Sequence, residues 1–171
     1  EALALTWSDL DLDSATPVLR VRRTHQRVAG QGLLTGPPKT SRSVRDLEMS
    51  TFLTQALKRH RTRQREVFLG LGLDWSEDTA LFASPTGWYR DPSRDRQDWK
   101  DQLARAEVAY VKPHAARHTA ATLLLNQGAD VKVVADVLGH SSISVTADTY
   151  AHVAREVIGA ATSNLAARLT G

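Results

Sequence analysis

Hydrophobic and polar positions along the chain predict a small sheet near its start. In residues 18–28 apolar and polar side chains alternate closely enough to indicate a strand. A glycine-rich turn at 30–36 follows, and a second strand is predicted near 43–49. A further short strand is predicted at 81–83, ahead of a turn.

Helices are predicted where a capping residue precedes a stretch of helical spacing. Ser50 or Thr51 starts one that runs to about Leu69, where glycines follow. Ser93 starts a second that runs to about Val108. The remainder of the chain is predicted to be helical over 114–127, 130–138, a short segment that carries Tyr150, and about 154–169.

Composition limits the size and the class of the protein. A chain of 171 residues with 42% apolar residues can form one substantial core but is short for two, so one domain is expected. No run approaches about 18 apolar residues and no signal peptide opens the sequence, so neither a membrane segment nor export is predicted. The sequence contains no cysteine, which excludes disulfides and thiolate metal sites and fits a cytoplasmic protein.

The two predicted helices over 114–138 contain apolar residues at helical spacing, and these are expected to form core. They are Leu123, Leu124, Leu125, Val131, Val134, Val137 and Leu138. No cofactor role is attached to them.

Charge is unevenly distributed along the chain. Residues 20–65 contain twelve Lys or Arg residues and two acidic residues, a local net charge of +10, so that the remainder carries −7 of the overall +3. Such a segment predicts electrostatic binding to a polyanion, and its preference for arginine favours phosphate groups. A solvated basic helix at 58–65 is the simpler interpretation of part of it. The arginines expected to contact phosphates are Arg20, Arg22, Arg23, Arg27, Arg42 and Arg45.

The residues best suited to chemistry lie in three short motifs in the last third of the sequence. The motif His-Ala-Ala-Arg-His starts at His114, Leu-Gly-His ends at His140, and Tyr150 follows ten residues later. Paired N–H donors of a guanidinium suit the charged oxygens of a phosphodiester, so Arg117 is the candidate for binding them. Tyrosine has a pKa near 10 and must lose its proton as it attacks, and His114 or His140 could accept it. A lone tyrosine is more often half-buried packing, so the order and spacing of the three motifs, rather than Tyr150 by itself, point to a phosphate-splitting site.

These motifs and their spacing resemble the catalytic half of the tyrosine recombinase (phage integrase) family, whose signature is His-x-x-Arg, Leu-Gly-His and a tyrosine ten residues on. The resemblance implies an α+β fold, a mainly helical catalytic domain with a small antiparallel β-sheet. It implies site-specific recombination or integration by DNA strand cleavage and rejoining, through a covalent 3′-phosphotyrosyl intermediate on Tyr150. That intermediate retains the energy of the broken bond, so no cofactor is required. Duplex DNA is then the polyanion, and the full-length parent is expected to assemble on it as a tetramer.

Two further catalytic positions of the family match segments nearer the start. Glu1 resembles the acidic member of the family pattern Arg-x-x-Glu, whose arginine would lie three residues before this sequence. The sequence is therefore expected to be a catalytic domain, residues 1–171, truncated at its N-terminal edge and impaired by the loss of one guanidinium. An N-terminal DNA-binding domain is expected in the parent. Lys39 resembles the β-hairpin lysine of the family, a general acid for the leaving 5′ oxygen.

Two other functions are compatible with parts of the sequence. His114 and His118 have the spacing of a metal-ligand pair on a helix, and with His140 or His152 they could hold zinc for a metal-dependent phosphodiesterase. The glutamate of His-Glu-x-x-His and a carboxylate cluster are absent from that pattern, so no metal is expected. Two helices joined at Gly128 also resemble a helix-turn-helix, so a non-catalytic DNA-binding protein, or a decayed recombinase, is the main alternative. Against it, the second helix is mostly apolar, whereas a base-reading helix usually offers Arg, Asn or Gln.

Overall fold

A computed structural model of the chain describes residues 1–38, 40, 43–140, 142, 144 and 147. The chain divides into two units, with the boundary between residues 106 and 107. The strands are β1 (Leu10–Asp11), β2 (Val18–Val21), β3 (Thr24–Val28), β4 (Gly32–Gly36) and β5 (Arg45–Glu48). The helices are α1 (Thr51–Gly70), α2 (Pro92–Arg105), α3 (Pro113–Asn126) and α4 (Val131–Leu138). The predicted helix around Tyr150 and the predicted helix over 154–169 lie outside the described residues.

The first unit contains two antiparallel sheets. One has the strand order β1-β2-β5, in which Leu19 of β2 lies opposite Leu10 on one side and Leu47 on the other. The second is the hairpin β3-β4, in which Val28 lies opposite Gly32. Two short 3-10 helices, Ala2–Ala4 and Trp7–Asp9, precede the first sheet.

The prediction of one strand over 18–28 is wrong, because β2 and β3 belong to different sheets. The break falls at Arg22 and Arg23, whose side chains bind carboxylates in different segments of the chain, Asp46 and Asp9. The predicted turn at 30–36 is also wrong, since most of it is β4. Only the tip of the hairpin turns, where Gly30 has a φ of +74° that suits glycine. The strand predicted near 43–49 is confirmed as β5.

Helix α1 begins and ends where its sequence predicts. The Ser50 hydroxyl accepts a hydrogen bond from the Leu53 N–H at 3.3 Å, an N-cap that supplies a partner to the first turn. The helix packs beside a core of buried apolar residues: Leu5, Trp7, Leu12, Met49, Leu57 and Leu81. Gln64 of α1 is buried in this region, and its Oε1 accepts hydrogen bonds from the indole N–H groups of Trp7 at 2.6 Å and Trp75 at 3.0 Å. The Gln64 amide oxygen and the two indole N–H groups are thus paired, as burial requires.

Two predictions between residues 81 and 108 are wrong. Residues 81–83 do not form a strand, because only isolated bridges, Thr6 with Ala80 and Ala83 with Tyr89, occur there. The cap of α2 is Asp91, whose carboxylate accepts from the Ser93 N–H at 2.7 Å, and the predicted cap Ser93 is already inside the helix. Pro92 explains the difference, since proline is favoured at the first helical position.

The second unit contains the helix pair α3 and α4, whose predicted bounds are confirmed to within one residue. Among the described residues of this unit, the buried apolar cluster is formed by Ala121, Leu125, Val134 and Leu138, which occur as two pairs four residues apart. The prediction that Leu123 and Val137 are core is wrong, because they are 58% and 36% exposed. None of the described helices has the length and apolar content needed to cross a membrane.

Candidate active site

The first two turns of α3 carry three of the motif side chains. Lys112 precedes a proline and is extended, with a ψ of 145°, so that the helix begins at Pro113. His114 is exposed on the first turn, and its ring lies edge-on to that of His118, with centroids 5.1 Å apart. Arg117 is three residues after His114, so both project from the same side of the helix.

Arg117 connects α3 to the end of α4. Its Nη2 donates a hydrogen bond to the carbonyl oxygen of Leu138, the last residue of α4. The final carbonyls of a helix have no partner within the helix and carry partial negative charge, so a guanidinium stabilises them. Arg117 is half-buried, and this contact orients its guanidinium from within the protein.

His140 is placed by the turn that ends α4. Gly139 has a φ of +69°, which glycine adopts without steric cost, and the His140 N–H bonds to the Ala135 carbonyl at 2.9 Å. This hydrogen bond holds His140 against the last turn of α4, which ends at Leu138, the residue whose carbonyl Arg117 binds. The Leu-Gly-His motif therefore has a physical meaning: the glycine ends the helix, and the flanking residues bring a histidine and an arginine to one end of the helix pair.

The remaining predicted catalytic residues are distributed differently. Tyr150 and Lys39 lie outside the described residues, as does Arg42, so their roles stay predictions. Glu1 is described: its carboxylate oxygens accept hydrogen bonds from both Nη atoms of Arg45, at 2.9 and 3.3 Å. Sequence reasoning assigned these two residues to different tasks and missed their pairing.

The five described arginines among those predicted to bind phosphate are paired with carboxylates in the structure. The pairs are Arg20 with Asp11 at 3.9 Å, Arg22 with Asp46, Arg23 with Asp9 at 2.6 Å, Arg27 with Asp91, and Arg45 with Glu1 at 2.9 Å. Most of these carboxylates come from outside residues 20–65, so folding brings acidic groups to the basic segment. Asp9 lies 14 residues from Arg23 along the chain, and Asp91 lies 64 residues from Arg27. No local sequence signal identifies these partners.

The β3-β4 hairpin and the start of α2 border an open cleft of about 580 Å³, lined by His25, Gln26, Arg27, Ala29, Pro92, Ser93 and Arg96. The His25 ring stacks on Tyr89 with centroids 5.1 Å apart, and its Nδ1 lies 2.7 Å from the Thr35 hydroxyl. Burial lowers the pKa of His25 below its usual 6.5, although the nearby Asp91 carboxylate acts in the opposite direction. The Ser93 backbone N–H, followed by Arg27, lowers the pKa of Asp91.

The described residues contain no group of three or more His, Cys, Asp or Glu side chains that could hold a metal ion. His152, one of the ligands considered for zinc, lies outside them. Within the described part of the chain, Arg117, His114 and His118 lie at the start of the first of these two helices, and His140 follows the end of the second.

The sequence profile of the phage integrase family matches residues 1–156. The chain belongs to the phage integrase family. It is 37% identical over 164 residues to a XerC-like tyrosine recombinase of Caldanaerobacter subterraneus. The alignment covers 90% of this chain and 41% of that protein. It is 32% identical over 162 residues to the ICEBs1 integrase of Bacillus subtilis, covering 90% of this chain and 40% of that protein. The chain therefore spans about two fifths of the length of these relatives.

A solved integrase has the same fold. The structure of the Tn1549 transposon integrase in complex with circular intermediate DNA matches with a TM-score of 0.76 and 26% identity, over 96% of this chain and 54% of that one. The resemblance drawn from the three motifs is confirmed. The predicted fold class, α+β with antiparallel strands and a mainly helical remainder, is confirmed as well, with two small sheets in place of one.

Proposed function

We propose that this chain is the catalytic domain of a site-specific recombinase that cleaves and rejoins duplex DNA through a 3′-phosphotyrosyl intermediate. One observation carries the proposal: the hydrogen bond from Arg117 to Leu138 brings the guanidinium to the turn that carries His140. An arginine held beside a histidine, in a chain of this family, suits a phosphodiester whose negative charge must be neutralised before attack.

In the cleavage step, the Tyr150 oxygen forms a bond to phosphorus and the bond from phosphorus to the 5′ oxygen breaks. The phenol proton passes to His114 or His140, and Lys39 gives a proton to the leaving 5′ oxygen. Arg117 binds the non-bridging oxygens, where charge increases in the transition state. A 5′ hydroxyl of a second strand then attacks the phosphotyrosine by the reverse of these steps, so the bond count is conserved and no cofactor takes part.

We assign duplex DNA as the partner of the basic segment, with Arg20, Arg22, Arg23, Arg27, Arg42 and Arg45 as the candidate contacts. The described members are paired with carboxylates, so DNA binding requires each guanidinium to share or exchange its partner for a phosphate. Arg27 is the best placed for such an exchange, since its side chain is 55% exposed. Arg45 is the least accessible, at 13%. The DNA in the Tn1549 integrase structure supports the choice of partner.

The chain is further proposed to act within a longer protein. Alignments that cover 41% and 40% of the two relatives leave room for additional segments, among them an N-terminal DNA-binding domain. Assembly as a tetramer on DNA and location in the cytoplasm belong to the same proposal.

A non-catalytic DNA-binding protein is not favoured. Its recognition helix would be α4, whose exposed residues include Val133 and Val137 at 52% and 36%. Apolar side chains contribute little to reading base edges other than the methyl group of thymine. Covalent adduct formation separates the two functions. The native protein, meaning the longer protein that contains this chain, is incubated with a duplex selected by binding from a random-sequence pool, and denaturing electrophoresis then detects DNA attached to protein.

A further inference from the structure

The Glu1–Arg45 ion pair is the start of a series of contacts that leads towards Lys39. Both Nη atoms of Arg45 bind the Glu1 carboxylate, and Nη1 also donates to the Ser43 carbonyl at 3.0 Å. The Ser43 N–H in turn bonds to the Thr40 carbonyl at 3.1 Å, and the two hydroxyls lie 2.9 Å apart. Thr40 is covalently attached to Lys39. A continuous path of polar contacts therefore connects Glu1 with the residue next to the lysine.

Burial distinguishes this pair from an ordinary surface ion pair. The side chain of Arg45 is 13% exposed and that of Glu1 is 29% exposed. A bidentate, charge-assisted contact in such a setting fixes both the distance and the plane of the guanidinium, which a single contact to a lysine ammonium would not do.

The strand that carries Arg45 is fixed from its other side as well. Arg45 lies opposite Val21 of β2, and its carbonyl accepts a hydrogen bond from Arg22 Nη1 at 3.0 Å. Arg22 Nη2 also pairs with Asp46, the next residue of β5. Arg45 is thus held by its strand while its guanidinium contacts both the Glu1 carboxylate and the Ser43 carbonyl.

The chain before Lys39 is restricted too. Strand β4 ends at Gly36, and Pro37 and Pro38 follow directly. Each proline limits its own φ to about −65°, and Pro38 also restricts Pro37 to extended backbone. Lys39 lies outside the described residues, but its described neighbours are restricted on both sides, by the two prolines before it and by the hydrogen bonds between Thr40 and Ser43 after it.

We propose that the Glu1–Arg45 ion pair is a positioning element for Lys39, holding the turn after the lysine so that its ammonium reaches the leaving 5′ oxygen. The inference rests on the proposed role of Lys39 as general acid. Arg45 is then a positioning residue that acts through the Ser43 carbonyl. This role replaces the DNA contact that the charge pattern predicted for Arg45, the least accessible of the candidate arginines.

A change of leaving group tests this directly. When sulfur replaces the bridging 5′ oxygen, cleavage releases a thiolate, whose conjugate acid has a pKa of about 8.5 and which needs no proton to leave. A variant that fails only in proton donation cleaves the unmodified duplex (the oxygen duplex) slowly. It cleaves the duplex with the bridging sulfur (the sulfur duplex) rapidly. A variant that fails in phosphate binding or folding is slow on both.

The native protein, Arg45→Gln, Glu1→Gln and Lys39→Ala are compared in single-turnover cleavage of the two duplexes, with the cleavage position mapped beforehand on the oxygen duplex. We expect Arg45→Gln to cleave the oxygen duplex slower by on the order of tenfold or more and the sulfur duplex at nearly the native rate, as Lys39→Ala does. Glu1→Gln weakens the same pair but leaves the bond from Arg45 to Ser43 possible, so its defect should be smaller. Glu1→Gln also tests the inference if the Arg45→Gln protein does not fold.

Arg94→Gln is the matched control, because Arg94 forms an exposed pair with Asp98 at 3.2 Å on α2 and is 77% exposed itself. It should cleave both duplexes at the native rate. Equal slowing of Arg45→Gln on both duplexes, or no slowing on either, overturns the inference while native adduct formation upholds the proposed function. A native protein that forms no adduct with either duplex overturns both.

Discussion

The guanidinium of Arg117 and the carbonyl oxygen of Leu138 form a hydrogen bond that joins the start of α3 to the last residue of α4. The contact satisfies a helix-terminal carbonyl and places a positive charge at the negative end of the α4 dipole. The same guanidinium is the proposed ligand of the scissile phosphate. Arg117 therefore both stabilises the helix pair and is proposed to bind the scissile phosphate. A substitution at Arg117 has to distinguish loss of stability from loss of phosphate binding.

Arg117→Lys keeps the positive charge but removes the planar pair of donors. We expect cleavage by the native protein to slow by about a hundredfold or more, because the lost donors act where charge develops. Affinity for duplex DNA and the slope of its dependence on salt should change little, since at most one phosphate contact among many is lost. Cleavage is measured under single-turnover conditions and affinity by fluorescence anisotropy at several salt concentrations.

Arg105→Lys, at the last residue of α2, is the control for the Arg117 experiment and should match the native protein in both measurements. Native-like cleavage by Arg117→Lys would show that the guanidinium is not required. DNA affinity of the chain that does not respond to salt would contradict the role of the basic segment.

Replacing the nucleophile should abolish covalent attachment without abolishing binding. Tyr150→Phe removes only the attacking oxygen, so the adduct seen by denaturing electrophoresis should be lost while anisotropy still detects the complex. Tyr110→Phe is the matched control, because Tyr110 is 53% exposed and belongs to none of the three motifs. A Tyr150→Phe protein that still captures DNA covalently rules out Tyr150 as the nucleophile.

Chelation distinguishes the recombinase mechanism from a zinc phosphodiesterase. Charge neutralisation is assigned to Arg117 and Lys39 together with the histidines, so cleavage by the native protein should persist in excess EDTA. Dialysis against EDTA followed by a cleavage assay, with and without added zinc, measures this. Loss of cleavage that zinc alone restores would favour a metal site that uses His114 and His118.

Features with a local cause could be predicted from the sequence. The ends of α3 and α4 follow from Gly128 and Gly139, whose positive φ values have a steric reason within a few residues. The cap of α1 by Ser50 is equally local. The three motifs identified the family because their spacing, rather than any single residue, is specific.

Features that depend on distant partners could not be predicted. The break between β2 and β3 depends on pairing with β5 and β4, and glycines at both ends of β4 give it the composition of a turn. Leu123 is predicted to be core from its helical spacing, but in the described part of the second unit it lies on the exposed face of α3. The pairing of Arg45 with Glu1 spans 44 residues, so a count of local charge overestimated how basic the folded segment is.

The free energy of unfolding of the first unit should decrease in mildly acidic solution, and His25 should account for part of the decrease. Burial lowers the pKa of His25 in the folded chain below 6.5. The unfolded chain therefore binds a proton near pH 6.5 that the folded chain does not bind until the pH is lower still. Acid then favours the unfolded state, so the stabilisation is complete above about pH 6.5 and is lost as the pH falls through the folded pKa.

His25→Gln tests this linkage, because glutamine can still bond to Thr35 but does not titrate. The free energy of unfolding of both proteins is measured by urea denaturation from about pH 7.5 to about pH 5. Other groups titrate alike in the two proteins, so the difference between the curves isolates His25. We expect the native chain to lose stability relative to His25→Gln as the pH falls. A difference that stays constant, or that changes in the native chain's favour, would mean that the histidine is not buried against Tyr89 in its neutral form.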